Sequence, residues 1–189
     1  MHKKILFAAM LFVATISVSA QKLSGNLSPL KDQKEVNVVL DFTGTTVNGQ
    51  SEESHIAFHT RGKDDAGVAL FLKEWNEDLR KDSYDLLIRD LNKALSKKGL
   101  TGGNYPQAEY TIIVKVLNIS PGTHLMKNSD AKTNVKFVKT GDNTPFATVD
   151  YKKSMGLYSS YVAVQVPRTA MAFGMVGTNI GTTISKNLK

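Results

Sequence analysis

Residues 66–98 restrict the chain to few architectures. Val68, Leu72, Trp75 and Leu79 recur at spacings of four, three and four, and Tyr84, Leu87, Ile88, Leu91, Ala94 and Leu95 broaden the stripe. This pattern predicts about 33 helical residues, roughly 50 Å if straight. That is long for a chain of 189 residues, so the spacing predicts either one bent helix or two helices broken near Asp82. Asp64 or Asp65 is placed to cap the start. "SKKG" ends the helix, with Lys97 and Lys98 at the negative end of its dipole and Gly99 at the cap.

A long amphipathic helix needs an apolar surface to cover, and strands supply it. In "KEVNVVLDF", Val36, Val38, Leu40 and Phe42 point one way, while Asn37, Val39 and Asp41 point the other. "AEYTIIVKVLNI" puts Tyr110, Ile112, Val114 and Val116 on one face, with Ile113 and Leu117 on the other, and reads as a central strand. "TNVKFVKT" and "PFATVDYKK" read as a hairpin joined by "GDN". "YVAVQV" reads as a short strand ended by Pro167. Residues 21–33 read as an irregular lead-in, and 44–65, opening on "TGTTVNGQSEESH", as a polar loop. The order predicts an α/β fold with α+β-like element order. The expected form is a two-layer sandwich, its sheet mixed or largely antiparallel, with helices on one face. No linker interrupts it, so residues 21–189 are expected to form a single domain.

The chain opens "MHKKILFAAMLFVATISVSAQK". Lys3 and Lys4 precede a short apolar core, and Val18 and Ala20 satisfy the small-residue rule for cleavage. Residues 1–20 are therefore expected to be a cleaved signal peptide and the protein periplasmic or secreted; retention as an anchor is the alternative. The chain carries 24 basic and 17 acidic residues, a net charge of +7 that the loss of two lysines takes to +5. This mild excess tolerates an anionic membrane surface, hence peripheral membrane contact, or an acidic glycan, and specifies neither. With no cysteine, disulfides, thiol catalysis and thiolate metal sites are excluded.

The last segment, "FGMVGTNIGTTISKNLK", carries Gly174, Gly177 and Gly181. It matches neither GxxxxGK[ST] nor GxGxxG, and no strand follows it. On a helix the three glycines share a face with Ala170 and Ile184, beside an apolar ridge of Phe173, Val176 and Ile180. Each glycine costs about 0.8–1.0 kcal/mol in helix propensity. The expected compensation is close backbone contact with another helix or the sheet. Membrane insertion is disfavoured by Asn179 and the threonines, and self-association through the groove is the remaining reading.

Chemistry is sparsely signalled. "HIAFH" places His55 and His59 four apart, but without HExxH, so they read as exposed histidines rather than metal ligands; His124 is the other histidine of the expected mature chain. Serines such as those of "LYSSY" lack a GxSxG elbow, which leaves a hydrolase without a nucleophile signature. Asp41 and Glu109 could form a carboxylate pair across strands, but more often such residues flank strands for solubility. Lys136, Lys139, Lys152 and Lys153 with Tyr151 could form a basic patch, or an ordinary lysine-protected edge; export argues against nucleic acid. Asn26 and Asn118 match the glycan-acceptor pattern. Trp75 keeps the register of Leu72 and Leu79 and reads as core. No catalytic, cofactor-binding or metal residue is assigned, and no cofactor.

The segments "VVLDFTGTTVNGQSEE" and "GLTGGNYPQAEYTIIVKVLNISPG" and the glycine-bearing last helix resemble small exported Bacteroidetes-type proteins of unknown function. More distantly, the arrangement is similar to the α/β domain of curli-secretion lipoproteins and the TolB N-terminal domain. The resemblance implies helices on a mixed sheet and service in envelope assemblies. It carries no catalytic residue, and the lipobox cysteine of the lipoprotein members is missing here.

The expected function is thus a non-catalytic interaction domain of a cell-envelope assembly with a protein partner. The alternative is a binding module for a small ligand or envelope polymer. The polar stretches 44–65 and 120–132 are the expected contact loops. A binding module should show a pocket lined by Tyr105, Tyr110, Tyr158 or Tyr161; an interaction domain should show a flat apolar patch.

Overall fold

The computed structural model of the chain describes residues 22–123, 127–156 and 165–188. Strand alternation sets the sheet. β1 (Ser24–Gly25) and β2 (Glu35–Asp41) are followed by two short strands, β3 (Thr46–Val47) and β4 (Gln50–Ser51). β5 (Thr101–Gly103), β6 (Tyr110–Ser120), β7 (Asp130–Lys139) and β8 (Pro145–Met155) complete it. The sheet order is β1-β8-β7-β6-β2-β5, with β3 pairing to both β4 and β6. β2 runs parallel to β5 and β6, while β6, β7 and β8 are mutually antiparallel. The sheet is therefore mixed, with β6 central as its two apolar faces require.

Val36, Val38, Ile112, Val114, Val116, Val135, Phe137, Val149 and Tyr151 form the inner layer and are buried. The opposite face carries Lys136, Asn134 and Asp150, and Val39 there is 42% exposed. β7 and β8 form the expected hairpin, with Asp142 Oδ1 accepting the Thr144 N–H at 2.9 Å in its turn. The lead-in is more ordered than its sequence suggests: β1 edges the sheet, and Leu27 and Leu30 enter the core.

Four α-helices lie among the described residues: α1 (Glu52–Thr60), α2 (Asp65–Lys73), α3 (Leu79–Leu95) and α4 (Gln165–Asn187). The chain is helical without a break from Asp65 to Leu95. The irregularity is a π turn at Glu74–Asp78, upstream of Asp82, in which the Leu79 N–H bonds the Glu74 carbonyl. Its cause lies in the buried set Phe71, Trp75, Leu79, Ser83, Leu87, Leu91 and Leu95, which repeats strictly every fourth residue. An α-helix advances about 100° per residue, so fours drift around it by about 40° per step. One wider turn absorbs part of that drift where Trp75 must be buried. The same shift buries Phe71 where the stripe predicted Leu72. Asp64 caps α2 by accepting the Gly67 N–H at 2.9 Å.

The end of "YVAVQV", expected to be a strand, belongs to α4. Gln165 and Val166 are helical, and Pro167 follows them in the helix; residues 161–164 lie outside the described residues. The glycine face meets α3. A Cβ on Gly177 would sit 2.2 Å from the Leu87 carbonyl oxygen and 2.9 Å from the Leu91 nitrogen. On Gly181 it would sit 2.6 Å from Ala94 Cβ, and on Gly174 2.5 Å from Asp90 Oδ2. Farther along, Ser185 Oγ donates to the Ala94 carbonyl at 3.0 Å, and Lys98 Nζ to the Leu188 carbonyl at 2.5 Å. These partners advance together, so the two helices run in the same direction. Among the described residues, no helix is long and apolar enough to cross a membrane. The expected signal segment 1–20 lies outside them.

Candidate functional site

The stretch 44–65 is not a loop. Asn48 (φ 51°) and Gly49 (φ 79°) make the two-residue turn that joins β3 to β4. Asn118 Oδ1 accepts the Thr46 hydroxyl and the Gly49 N–H, each at 2.9 Å, and so clamps the hairpin to β6. Ser51 then caps α1 by accepting the Ser54 N–H at 3.2 Å, with Glu52 and Glu53 at the positive end of the dipole. "SEES" was the available signal for this helix.

α1 lays its i, i+4 face on the π turn. Glu52 Oε1 accepts the Trp75 indole N–H at 2.7 Å and pairs with Arg80. Arg80 also donates to the Trp75 carbonyl at 2.7 Å and lies 4.6 Å from the Phe42 ring centre. The His55 ring is 4.4 Å from both Trp75 and His59, and His59 stacks on Phe71 at 5.4 Å. The expectation of exposed histidines is therefore corrected: His55 is 7% exposed, because α1 folds it onto the aromatic ridge.

Burial first, and the neighbouring His59 second, push the His55 imidazole from 6.5 down to about 4, against a smaller opposing pull from Glu52. The Gln165 amide donates to its Nε2 at 3.4 Å, a contact only the neutral ring can accept. The folded value lies below the unfolded one, so this contribution to stability is complete above pH 6.5 and is lost as pH falls toward 4. Denaturant unfolding between pH 7 and pH 4 should show that acid limb, and His55→Phe should flatten it. His59 is lowered too, by burial and then by Lys63.

His55 and His59 line a cavity of about 560 Å³ with Asn48, Gln50, Gln165 and Arg168. Among the described residues no carboxylate lines it, so the histidine–carboxylate cluster of the enzyme reading is not assembled there. No three metal-ligating side chains group together among the described residues either. Asp41 lies at the end of β2 and pairs with Lys115 at 2.9 Å, whereas Glu109 precedes the start of the parallel β6. Asp41 is paired with Lys115 in mid-β6, well beyond Glu109, so the two carboxylates do not face each other.

Tyr151 is buried and shares a 2.9 Å hydrogen bond with Thr183, so it offers no stacking platform among the hairpin lysines. Neither Tyr105 nor Tyr110 lines the cavities at α1 or α3; His124, Tyr158, Tyr161 and the "LYSSY" serines lie outside the described residues. Within 120–132, Thr123 and Lys127 exchange N–H···O bonds of 2.9 and 3.3 Å below the β6–β7 tip.

A larger concavity, about 820 Å³, runs between α3 and α4. Leu86 and Ala94 line it from one helix, and Pro167, Ala170, Met171 and Met175 from the other. The α3 edge is charged: Asp82 and Asp85 lie toward one end, and Arg89, Asp90 and Lys93 toward the other. The expected flat apolar patch is instead a groove, because small residues on α4 let the two helix backbones meet and leave their outer side chains splayed.

These features define an α/β protein with helices on one face of a mixed sheet and a groove along its helix pair. No family model matches the chain, and no curated protein matches it. Among solved structures it is similar to the PelC dodecamer from Paraburkholderia phytofirmans, with a TM-score of 0.42 and 9% identity over 89% of this chain and 95% of that one. It is also similar to a Xanthomonas campestris protein assigned to DUF330, with a TM-score of 0.38 and 12% identity over 87% and 93% of the respective chains. Likenesses this low carry no functional weight. The resemblance to curli-secretion lipoproteins and TolB remains an expectation drawn from the sequence segments.

Proposed function

We propose that the protein is a non-catalytic interaction domain, exported to the periplasm or beyond, that contributes to a cell-envelope assembly. The observation that carries this reading is the α3–α4 groove. Its floor is apolar beneath a charged α3 edge, and two flexible methionines can adapt to a partner's surface. Its α3 edge is acidic at the Asp82–Asp85 end and mixed at the other, where Asp90 sits between Arg89 and Lys93. That suits an amphipathic helix of a partner protein, with anchors at i, i+3 or i+4 and i+7. The partner's basic end would lie over Asp82 and Asp85. The surface pairs Lys81–Asp85 and Arg89–Asp90 are worth about 0–1 kcal/mol each and can be exchanged for intermolecular ones. The signal-like leader supports export.

Met175→Asp tests this reading, since it places a charge in the groove without entering the core. Gently extracted wild-type protein is expected to elute in an assembly well above its own 20.7 kDa. The variant, with an unchanged melting temperature, is expected to shift to smaller size. An identical elution profile for both proteins contradicts the groove as a docking surface.

A further inference from the structure

We propose that the cavity beside α1 binds an anionic sugar, with one carboxylate or phosphate group and neighbouring hydroxyls. This site shares no lining residue with the α3–α4 groove and does not depend on it. Three properties of its walls point to that class.

The first is charge. Arg168 lines the main cavity, and Lys127 lines an adjoining hollow of about 490 Å³ that shares Asn48, Gly122 and Thr123 with it. Arg168 Nε donates to the Pro121 carbonyl at 3.1 Å, which sets the guanidinium at the wall. Among the described residues no carboxylate lines either space, so the walls attract an anion and repel a cation.

The second is a set of amides suited to hydroxyl groups. Asn48, Gln50 and Gln165 line the cavity, and Asn118 lines the hollow. Asn118 is oriented in advance: its oxygen is held by Thr46 and Gly49, which turns its NH₂ away from those donors. The hairpin carrying Asn48 and Gln50 is fixed to β6 by the 2.8 Å bond from the Asn48 N–H to the Ile119 carbonyl. A rigid amide wall lowers the ordering cost of binding a small polar molecule.

The third is an aromatic wall. Phe58, 68% exposed, stands edge-on to His59 at 5.2 Å, and both line the cavity. An apolar sugar face can lie on such rings while its hydroxyls reach the amides.

Calorimetric titration of the full mature chain with D-glucuronate, glucose 6-phosphate and neutral glucose tests the proposal. The fluorescence of Trp75, the one tryptophan, serves as a second readout, because His55 lies between that indole and the cavity. At least one anionic sugar is expected to bind with a dissociation constant of about 1 mM or tighter, and glucose about tenfold more weakly or not at all. The preferred anion distinguishes a carboxylate ligand from a phosphate one. Lys127→Glu and Gln50→Ala, both at surface positions, should each weaken binding severalfold with unchanged melting temperatures, while Lys136→Glu on the open sheet face should leave it intact. Absence of binding by both anions, equal binding of glucose, or binding indifferent to Lys127 and Gln50 overturns the proposal.

Discussion

Gly177→Leu is expected to destabilise the protein by about 3 kcal/mol or more, lowering the melting temperature by about 6–12 °C. The reason is the identity of the neighbours. A Cβ at this position meets the Leu87 carbonyl and the Leu91 nitrogen, which are backbone atoms that cannot rotate away. Even Gly177→Ala should destabilise, although alanine gains about 1 kcal/mol of helix propensity. Gly174→Ala is the contrasting case, since its new methyl meets the tip of the Asp90 side chain, which can swing aside. Thermal unfolding should place Gly177→Leu lowest, Gly177→Ala above it and Gly174→Ala near the parent. A parent-like melt for Gly177→Leu would mean that the helices do not touch along this face.

Trp75→Ala should cost about 3–5 kcal/mol, as large buried truncations do. Trp75 is fully buried where α1, the π turn and α4 converge. Its loss opens a cavity, removes the indole donor to Glu52 and takes away the residue that the π turn buries. It also uncovers His55. The variant should therefore unfold at lower denaturant and show a weaker acid limb, because the His55 imidazole regains water and its pKa rises toward 6.5. A destabilised variant whose acid limb stays unchanged would separate His55 from the tryptophan and contradict the burial explanation.

Much of this fold was legible because strands and helix faces announce themselves by period. Val36, Val38 and Leu40, and Ile112, Val114 and Val116, fell on the inner face as alternation required. The glycine face found its helix. What sequence reading missed depended on tertiary context. The π turn is invisible to a 3.6-residue template, although the run of fours from Phe71 to Leu95 was its trace. α1 is short and polar, and its cap in "SEES" competed with the turn signals that precede it. The burial of His55 arises only when α1 meets Phe71 and Trp75, residues about 16 and 20 positions away along the helix–turn–helix path. The groove is a property of two helices distant in sequence, and the α1 cavity collects side chains from four separate segments. Neither could be read from one segment alone.

If the α3–α4 groove receives a segment of another protein, site-specific photo-crosslinking in native cells should trap it. A photo-reactive side chain at position 175, compared with one at position 136 on the open sheet face, should capture one envelope protein from the groove only. The crosslinked peptide should be an amphipathic helical segment, basic toward Asp82. Equal adducts from both positions, or adducts from the groove only to a second copy of the chain, would contradict the account.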